Sequence, residues 1–231
     1  MNSTELSVDQ IAIEQANFIT KVYGWMSFAL LVTGFVAVWT ASTPEMTDLI
    51  FGNRIVFYGL LFGEFICVAY LVSVIEKISS QLATIIFIGY AALNGLTLAV
   101  IFLVFTSESI ASTFFITAGT FGIMSVYGYF TKTDLTSMGN LAFMGLIGLI
   151  IASVANIFLH NETIYWITTY AGILIFVALT AYDTQKIKKM NIIGNEGTEE
   201  DKKEAIMGAL TLYLDFINLF LYLLRIFGKK K

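Results

Sequence analysis

The chain has 231 residues, of which 57% are hydrophobic and only 13% are charged, with a formal net charge of −4. Average soluble domains are about 45–50% apolar and about 25% charged, so this composition excludes a soluble globular enzyme and indicates an integral membrane protein. One cysteine and one histidine exclude a disulfide framework and metal sites rich in those residues, and the lack of a long basic block argues against nucleic acid as a partner.

Apolar runs of spanning length recur along the whole chain. A membrane-spanning helix needs about 20 residues, and helices satisfy their own backbone hydrogen bonds in lipid. Seven runs meet this length: Val22–Ala41, Ile55–Ile75, Leu82–Phe105, Ser109–Phe130, Gly139–Leu159, Thr163–Asp183 and Ala205–Phe227. The sequence therefore predicts an all-α integral membrane protein with seven transmembrane helices.

Basic residues indicate the orientation of these helices. With the N-terminus in the cytoplasm, the inner side carries eight lysines, whereas the outer loops carry only Arg54. We therefore expect a cytoplasmic N-terminal segment (residues 1–21), a membrane domain (22–227) and a basic C-terminal tail (228–231). Seven spans place that lysine-rich tail outside, against the positive-inside rule, so a re-entrant last segment is the alternative.

The connections between the runs are short except for Thr184–Glu204. Within that segment, Thr198 followed by Glu199, Glu200 and Asp201 predicts a helix N-cap with an acidic first turn. Near the start of the chain, Ser7 and Gln10 fit a capping box and predict a short amphipathic helix before the first span. Pro44 is expected to lie in a loop.

Four charged residues lie inside the apolar runs: Glu64, Asp183, Asp215 and Arg225. A charge at the centre of a bilayer costs at least about 2.5–3.5 kcal/mol, so such residues usually face the protein interior and mark a pathway or relay. Asp215 lies deep in the last run, and the structural alternative is a carboxyl bonded to a neighbouring hydroxyl or amide. Asp183 lies at the end of its run, where an exposed helix-end acid is the alternative.

The two aspartates have constrained chemistry if their carboxyl groups meet. Two carboxylates in a low-dielectric interior share a proton and titrate as a pair, and a divalent cation such as calcium can replace that proton. Counted from the lysine-rich loop, however, their depths differ by about 9 Å. Glu64 needs a counterion or a proton, and Arg225 is the only basic residue inside a run, so the sequence offers these two residues as a candidate latch.

Two segments carry a resemblance to a known family. The stretch Thr180–Lys186 contains Tyr182-Asp183-Thr184-Gln185 and resembles the YDTQ signature of the Bax inhibitor-1 family. The stretch Gly208–Phe220, which contains Asp215, resembles that family's last span. The likeness runs from about Val22 to the end of the chain and is greatest to the bacterial YbhL/YccA-like branch.

The resemblance implies a bundle of seven helices with a central last helix, in the inner (plasma) membrane. It implies that Asp183 and Asp215 form the family's aspartate pair, a pH-sensing gate and calcium-binding position, and that calcium leaks through the protein in a pH-dependent way. Arg225 matches the family's basic residue on the last span, and Glu64 matches an acidic position that some members have. No catalytic residue and no bound cofactor are implied; the bilayer, protons and calcium are the expected partners, with calcium as the transported ion.

Two other functions stay open from the sequence. A regulator that transports nothing but acts on a membrane protease or a stress pathway suits the YccA likeness. An intramembrane aspartyl protease is remote: Tyr182-Asp183 matches half of its chemistry, but Tyr213-Leu214-Asp215 stands where its GxGD motif is expected.

Overall fold

The computed structural model describes residues 8–231, with side chains from Gln10 onward. These residues form eight α-helices: α1 (Val8–Ala41), α2 (Pro44–Phe51), α3 (Arg54–Val74), α4 (Ser80–Val104), α5 (Ser107–Phe130), α6 (Thr136–Leu159), α7 (Glu162–Met190) and α8 (Glu199–Phe227). Every helix except the short α2 is long and apolar enough to cross a membrane. For the described part of the chain, the predicted all-α protein with seven membrane spans is confirmed.

The first connection differs from the prediction. The expectation that Pro44 lies in a loop is wrong, because Pro44 occupies the first position of α2, where a missing N–H has no intrahelical partner to lose. The expected short N-terminal helix is instead continuous with the first span, since α1 runs without a break from Val8. Its predicted cap residue Ser7 lies outside the described residues.

The connection between the last two spans is shorter than predicted. Thr184 was expected to begin a loop, but α7 continues seven residues past Asp183, because hydropathy marks the membrane and not the end of a helix. Residues 191–198 form the α7–α8 linker. The predicted N-cap of α8 is confirmed, since the Asp201 amide donates to Thr198 Oγ1 at 3.2 Å.

The chain folds as two compact units, and the first comprises the residues up to Val104 together with Ile187–Tyr213. In this unit α4 packs against α1 and α3, and α2 contacts all three. Gly95 permits the close approach of α4 to α1, because a β-carbon there would lie 2.7 Å from the Thr33 carbonyl oxygen. The Tyr213 ring is fully buried, and its hydroxyl lies 2.7 Å from Thr33 Oγ1.

The second unit comprises Phe105–Lys186 and Leu214–Lys231. Aromatic side chains fill it, with Phe216 of α8 in edge contact with Phe114 and Phe121 of α5. The C-terminal tail turns back onto the segment before α5, where the Thr106 amide donates to the Lys229 carbonyl at 2.8 Å. This unit contains both of the aspartates singled out in the sequence.

Burial differs widely among the spans. Only 6% of the most apolar stretch of α3 and 11% of that of α6 is buried within the protein. Large apolar side chains on these two helices are therefore exposed and available to contact lipid. In α8 the share is 67%, the largest of the seven spans. The last helix thus has the burial expected of the core helix of a bundle.

Candidate functional site

The carboxyl groups of Asp183 on α7 and Asp215 on α8 lie within hydrogen-bonding range of each other. Both side chains are buried, with 9% of Asp183 and 5% of Asp215 exposed. Asp215 Oδ2 lies in the interior with no hydrogen-bond partner. The structure therefore brings the two acidic residues into direct contact inside the second unit.

A contact of this kind constrains the protonation of the pair. An ionised carboxylate only accepts hydrogen bonds, so a bond between two carboxyl groups requires a proton on one of them. Lys186 lies one turn after Asp183 on α7. Its ammonium group is exposed and lies 5.9 Å from the centre of the Tyr182 ring. The pair can therefore hold one proton and one negative charge, with a solvated cation nearby.

Asp183 and Asp215 lie at the same level, although counting residues from the lysine-rich loop predicts unequal depths, because α7 and α8 extend by different lengths beyond the pair. Asp183 lies seven residues before the end of α7, whereas Asp215 lies sixteen residues after the start of α8. The α8 helix therefore extends about 13 Å further than α7 on the linker side of the pair. The eight-residue linker spans this difference, so the two carboxyl groups reach the same level.

Other residues of the Tyr182–Gln185 motif hold α7 in place. The Tyr182 ring lies on Gly139 at the start of α6, and the Ala181 carbonyl lies on Gly128 of α5; a β-carbon on either glycine would overlap its neighbour. The Gln185 amide binds the segment that precedes α6. Its Nε2 donates to the Thr133 carbonyl and its Oε1 accepts from the Leu135 amide, both at 2.9 Å.

These supporting contacts were missed in the sequence. The motif itself carried the signal, since a glutamine two residues after an intramembrane aspartate has an amide that must find partners when it is buried. Gly128 and Gly139 carried no such signal, because isolated glycines are frequent in membrane helices. Asp183 thus faces α8 from a helix whose adjoining residues bind α5, α6 and the segment between them.

Glu64 and Arg225 each have a partner in their own unit. Glu64 Oε1 accepts a hydrogen bond of 2.7 Å from Thr97 Oγ1. The Arg225 guanidinium lies over the rings of Tyr222 and Tyr165, 4.6 Å and 5.4 Å from their centres. Glu64 thus has a hydroxyl donor and Arg225 has two aromatic rings as neighbours. The latch between Glu64 and Arg225 stays a prediction.

Among the described residues, no group of three or more histidine, cysteine, aspartate or glutamate side chains is placed to hold a metal ion. The Asp183–Asp215 pair supplies two carboxyl groups, whereas calcium takes six to eight oxygen ligands. Water or backbone carbonyls would have to supply the others.

Comparison with known proteins identifies the family. Residues 15–231 match the family model described as "Inhibitor of apoptosis-promoting Bax1". The chain belongs to the Bax inhibitor-1 family. The family match includes both aspartates, and the resemblance noted in the sequence is confirmed.

Relatives from several bacteria match nearly the whole chain. The inner membrane protein YbhL of Escherichia coli K12 is 50% identical over 215 residues, which cover 93% of this chain and 92% of that protein. An uncharacterized protein of Borreliella burgdorferi is 45% identical over 214 residues, covering 93% of this chain and 92% of that one. The uncharacterized protein RP147 of Rickettsia prowazekii is 45% identical over 217 residues, covering 93% and 90%. This Bax inhibitor-1 family protein is thus similar to bacterial proteins of comparable length, one of which is named an inner membrane protein.

Proposed function

We propose that this protein is a cation leak channel or exchanger, with calcium as the transported ion, that is gated by proton sharing between Asp183 and Asp215. The observation that carries the proposal is the contact, within hydrogen-bonding range, between these two buried carboxyl groups. Burying two acids in contact inside a membrane protein costs free energy. Intramembrane acids usually mark ion or proton pathways.

The sign of the pH dependence follows from the chemistry of the pair. At low pH a proton lies between the carboxyl groups and holds α7 and α8 together. As the pH rises, that proton is lost and both groups become negative in a low-dielectric interior, where their repulsion is strong. The closed state therefore loses stability with increasing pH, and flux through the protein rises.

Calcium enters the proposal as cargo. Once both aspartates are ionised, they present up to four oxygens of the hard type that calcium prefers. A divalent cation at this position also neutralises the two charges that the lost proton leaves behind. Protons and calcium consequently compete for the pair, so calcium flux should be greatest where the pair is deprotonated.

We place the protein in the inner (plasma) membrane with its N-terminus in the cytoplasm. The name of YbhL and the excess of lysines on one side of the spans support this placement. Since α8 is continuous over 29 residues, or about 43 Å, the tail lies on the opposite side of the membrane from the α7–α8 linker. A reporter fused after Lys231 tests the orientation, and reporter activity in the cytoplasm would contradict it.

The proposed function is tested by calcium flux into liposomes that contain the purified protein. We expect flux to rise from about pH 5 to about pH 8 and expect the rise to be lost in Asp183→Asn and in Asp215→Asn. Asp48→Asn, the same change at an exposed position on α2, is the matched control and should behave like the unmodified protein. Flux equal to that of empty liposomes at every pH would remove the proposal.

A further inference from the structure

The cytoplasmic end of α1 carries a polar face that binds the segment leading into α8. Glu14, Asn17 and Lys21 are spaced by three and four residues and therefore lie on one side of the helix. Glu14 Oε1 accepts from the Gly194 amide at 2.8 Å, and Asn17 Nδ2 donates to Glu196 Oε1 at 3.2 Å. These two contacts hold the α7–α8 linker along α1.

The third residue of this face binds the first turn of α8. Lys21 Nζ lies 2.9 Å from Asp201 Oδ2 and 3.6 Å from Glu196 Oε1. Asp201 is only 1% exposed, and the same Oδ2 also accepts from the Gly197 amide at 2.8 Å. Both partners of this contact are charged, so attraction between opposite charges strengthens its hydrogen bond.

The backbone of the linker is fixed where these contacts are made. Gly194 and Gly197 have φ angles of 90° and 82°, in the left-handed region where other residues are strained. Their amides are the groups that point to Glu14 and Asp201. The linker is thus held in one specific path by two glycines, each of which presents a donor to a buried carboxylate.

The start of α8 is also anchored away from α1. Glu199 accepts hydrogen bonds from the Ser80 amide at 2.9 Å and from its hydroxyl at 3.0 Å, at the first residue of α4. Lys203 Nζ donates to the Glu76 carbonyl at 3.2 Å. The start of α8 therefore has anchors besides its contact with α1. The linker, and through it the end of α7, depends more on the polar face of α1 for its position.

We propose that Val8–Lys21 acts as a strap on the α7–α8 linker and so restrains the separation of α7 and α8 that opens the Asp183–Asp215 pair. This inference rests on the proposed function for its consequence in flux, but the strap itself is defined by contacts that can be measured without transport. The linker joins directly to α7 seven residues after Asp183, so holding it limits how far that end of α7 can move.

Substitution of the strap tests its effect on gating. Lys21→Gln and, separately, Glu14→Ala should shift half-maximal calcium flux by about one pH unit toward acid, a tenfold change in the ratio of closed to open protein. Lys202→Gln is the matched control, because Lys202 is an exposed lysine beside Asp201 that forms a 3.8 Å ion pair with Glu199 and lies outside the polar face of α1. Flux curves that coincide for the strap variants, the control and the unmodified protein would overturn the proposal.

A covalent cross-link between the strap and the linker tests the proposal by strengthening the contact that the substitutions weaken. In a Cys67→Ser background, Asn17→Cys places a thiol on the strap and Glu196→Cys places one on the linker, and a short cleavable bifunctional thiol reagent can join the two. The closed linker should then stay closed, so flux at high pH should be lost and should return when the cross-link is cleaved. Flux that persists in fully cross-linked protein would contradict the strap.

Hydrogen exchange of the Gly194 amide separates failure of the strap from failure of the proposed function. Glu14→Ala removes the acceptor of that amide, so its exchange should become faster, whereas Lys202→Gln should leave it unchanged. Faster exchange in a protein that shows no flux at any pH would support the strap and refute the channel. Exchange that Glu14→Ala does not alter would refute the strap whatever the flux shows.

Discussion

Gln185 of α7 accepts a hydrogen bond of 2.9 Å from the amide of Leu135, which lies immediately before α6. The other end of the same side-chain amide donates to the Thr133 carbonyl, also at 2.9 Å. Two backbone groups of a connecting segment are therefore satisfied by one buried side chain. Because Asp183 lies two residues earlier on the same helix, this contact helps to fix the helix that presents the aspartate to α8.

Replacing Gln185 with leucine should destabilise the protein. Leucine keeps much of the side-chain volume but leaves the Leu135 amide and the Thr133 carbonyl without partners, at a cost of about 1–3 kcal/mol. Thermal unfolding in detergent measures this cost as a lower midpoint. Gln81→Leu is the matched control, since Gln81 is exposed at the start of α4 and should change the midpoint little. Equal midpoints for the two variants would mean that Gln185 does not hold the segment.

Two glycines on α6 should respond differently to the same substitution. A β-carbon at Gly139 would overlap the Tyr182 ring, whereas one at Gly148 would meet nothing within 4 Å. Gly139→Ala should therefore cost about 1–3 kcal/mol through overpacking. Gly148→Ala should be neutral or slightly stabilising, because alanine favours a helix over glycine. Unfolding midpoints of the two purified variants decide the matter, and an unchanged midpoint for Gly139→Ala would contradict the packing described for Tyr182.

The contact between Arg225 and Tyr222 can be tested by removing the Tyr222 hydroxyl and the Tyr222 ring in separate variants. Tyr222→Phe keeps the ring beneath the guanidinium, whereas Tyr222→Leu removes it, and a cation over an aromatic face is worth about 0.5–2 kcal/mol. We therefore expect a lower unfolding midpoint for the leucine variant and a nearly unchanged one for the phenylalanine variant. A loss of stability that is equal in both would show that the Tyr222 hydroxyl, and not the ring, supports Arg225.

Contact between two intramembrane aspartates is also a requirement for proteolysis, so cleavage must be measured. We expect no cleavage of a transmembrane reporter peptide by the reconstituted protein. The stretch Tyr213-Leu214-Asp215 lacks the glycines of the expected GxGD motif. Cleavage that both Asp183→Asn and Asp215→Asn abolish would establish the protease instead.

The sequence predicts the membrane spans well because apolar length is the physical requirement for crossing a bilayer. It does not predict where helices end in water. The extension of α7 from Thr184 to Met190 and that of α1 back to Val8 lie in polar sequence, where hydropathy carries no information about the backbone. The short helix α2 was missed for the same reason.

The candidate site is predicted in part. Asp183 and Asp215 stand out because ionisable residues in apolar runs are costly, but their contact depends on the unequal overhang of α7 and α8, which only the folded linker reveals. The strap residues Glu14, Asn17 and Lys21 carry no such signal, since polar residues near a membrane surface are ordinary. Their significance comes from partners about 180 residues away in the chain.

The most direct test of the account is infrared spectroscopy of the reconstituted protein between about pH 5 and about pH 8, which detects the carbonyl band of a protonated carboxyl group. The account predicts such a band at the acidic end, its loss as the pH rises, and a change in its position or pH dependence in both Asp183→Asn and Asp215→Asn. A carboxyl band that neither substitution alters, or no protonated carboxyl group anywhere in this range, would contradict a proton shared by the two aspartates.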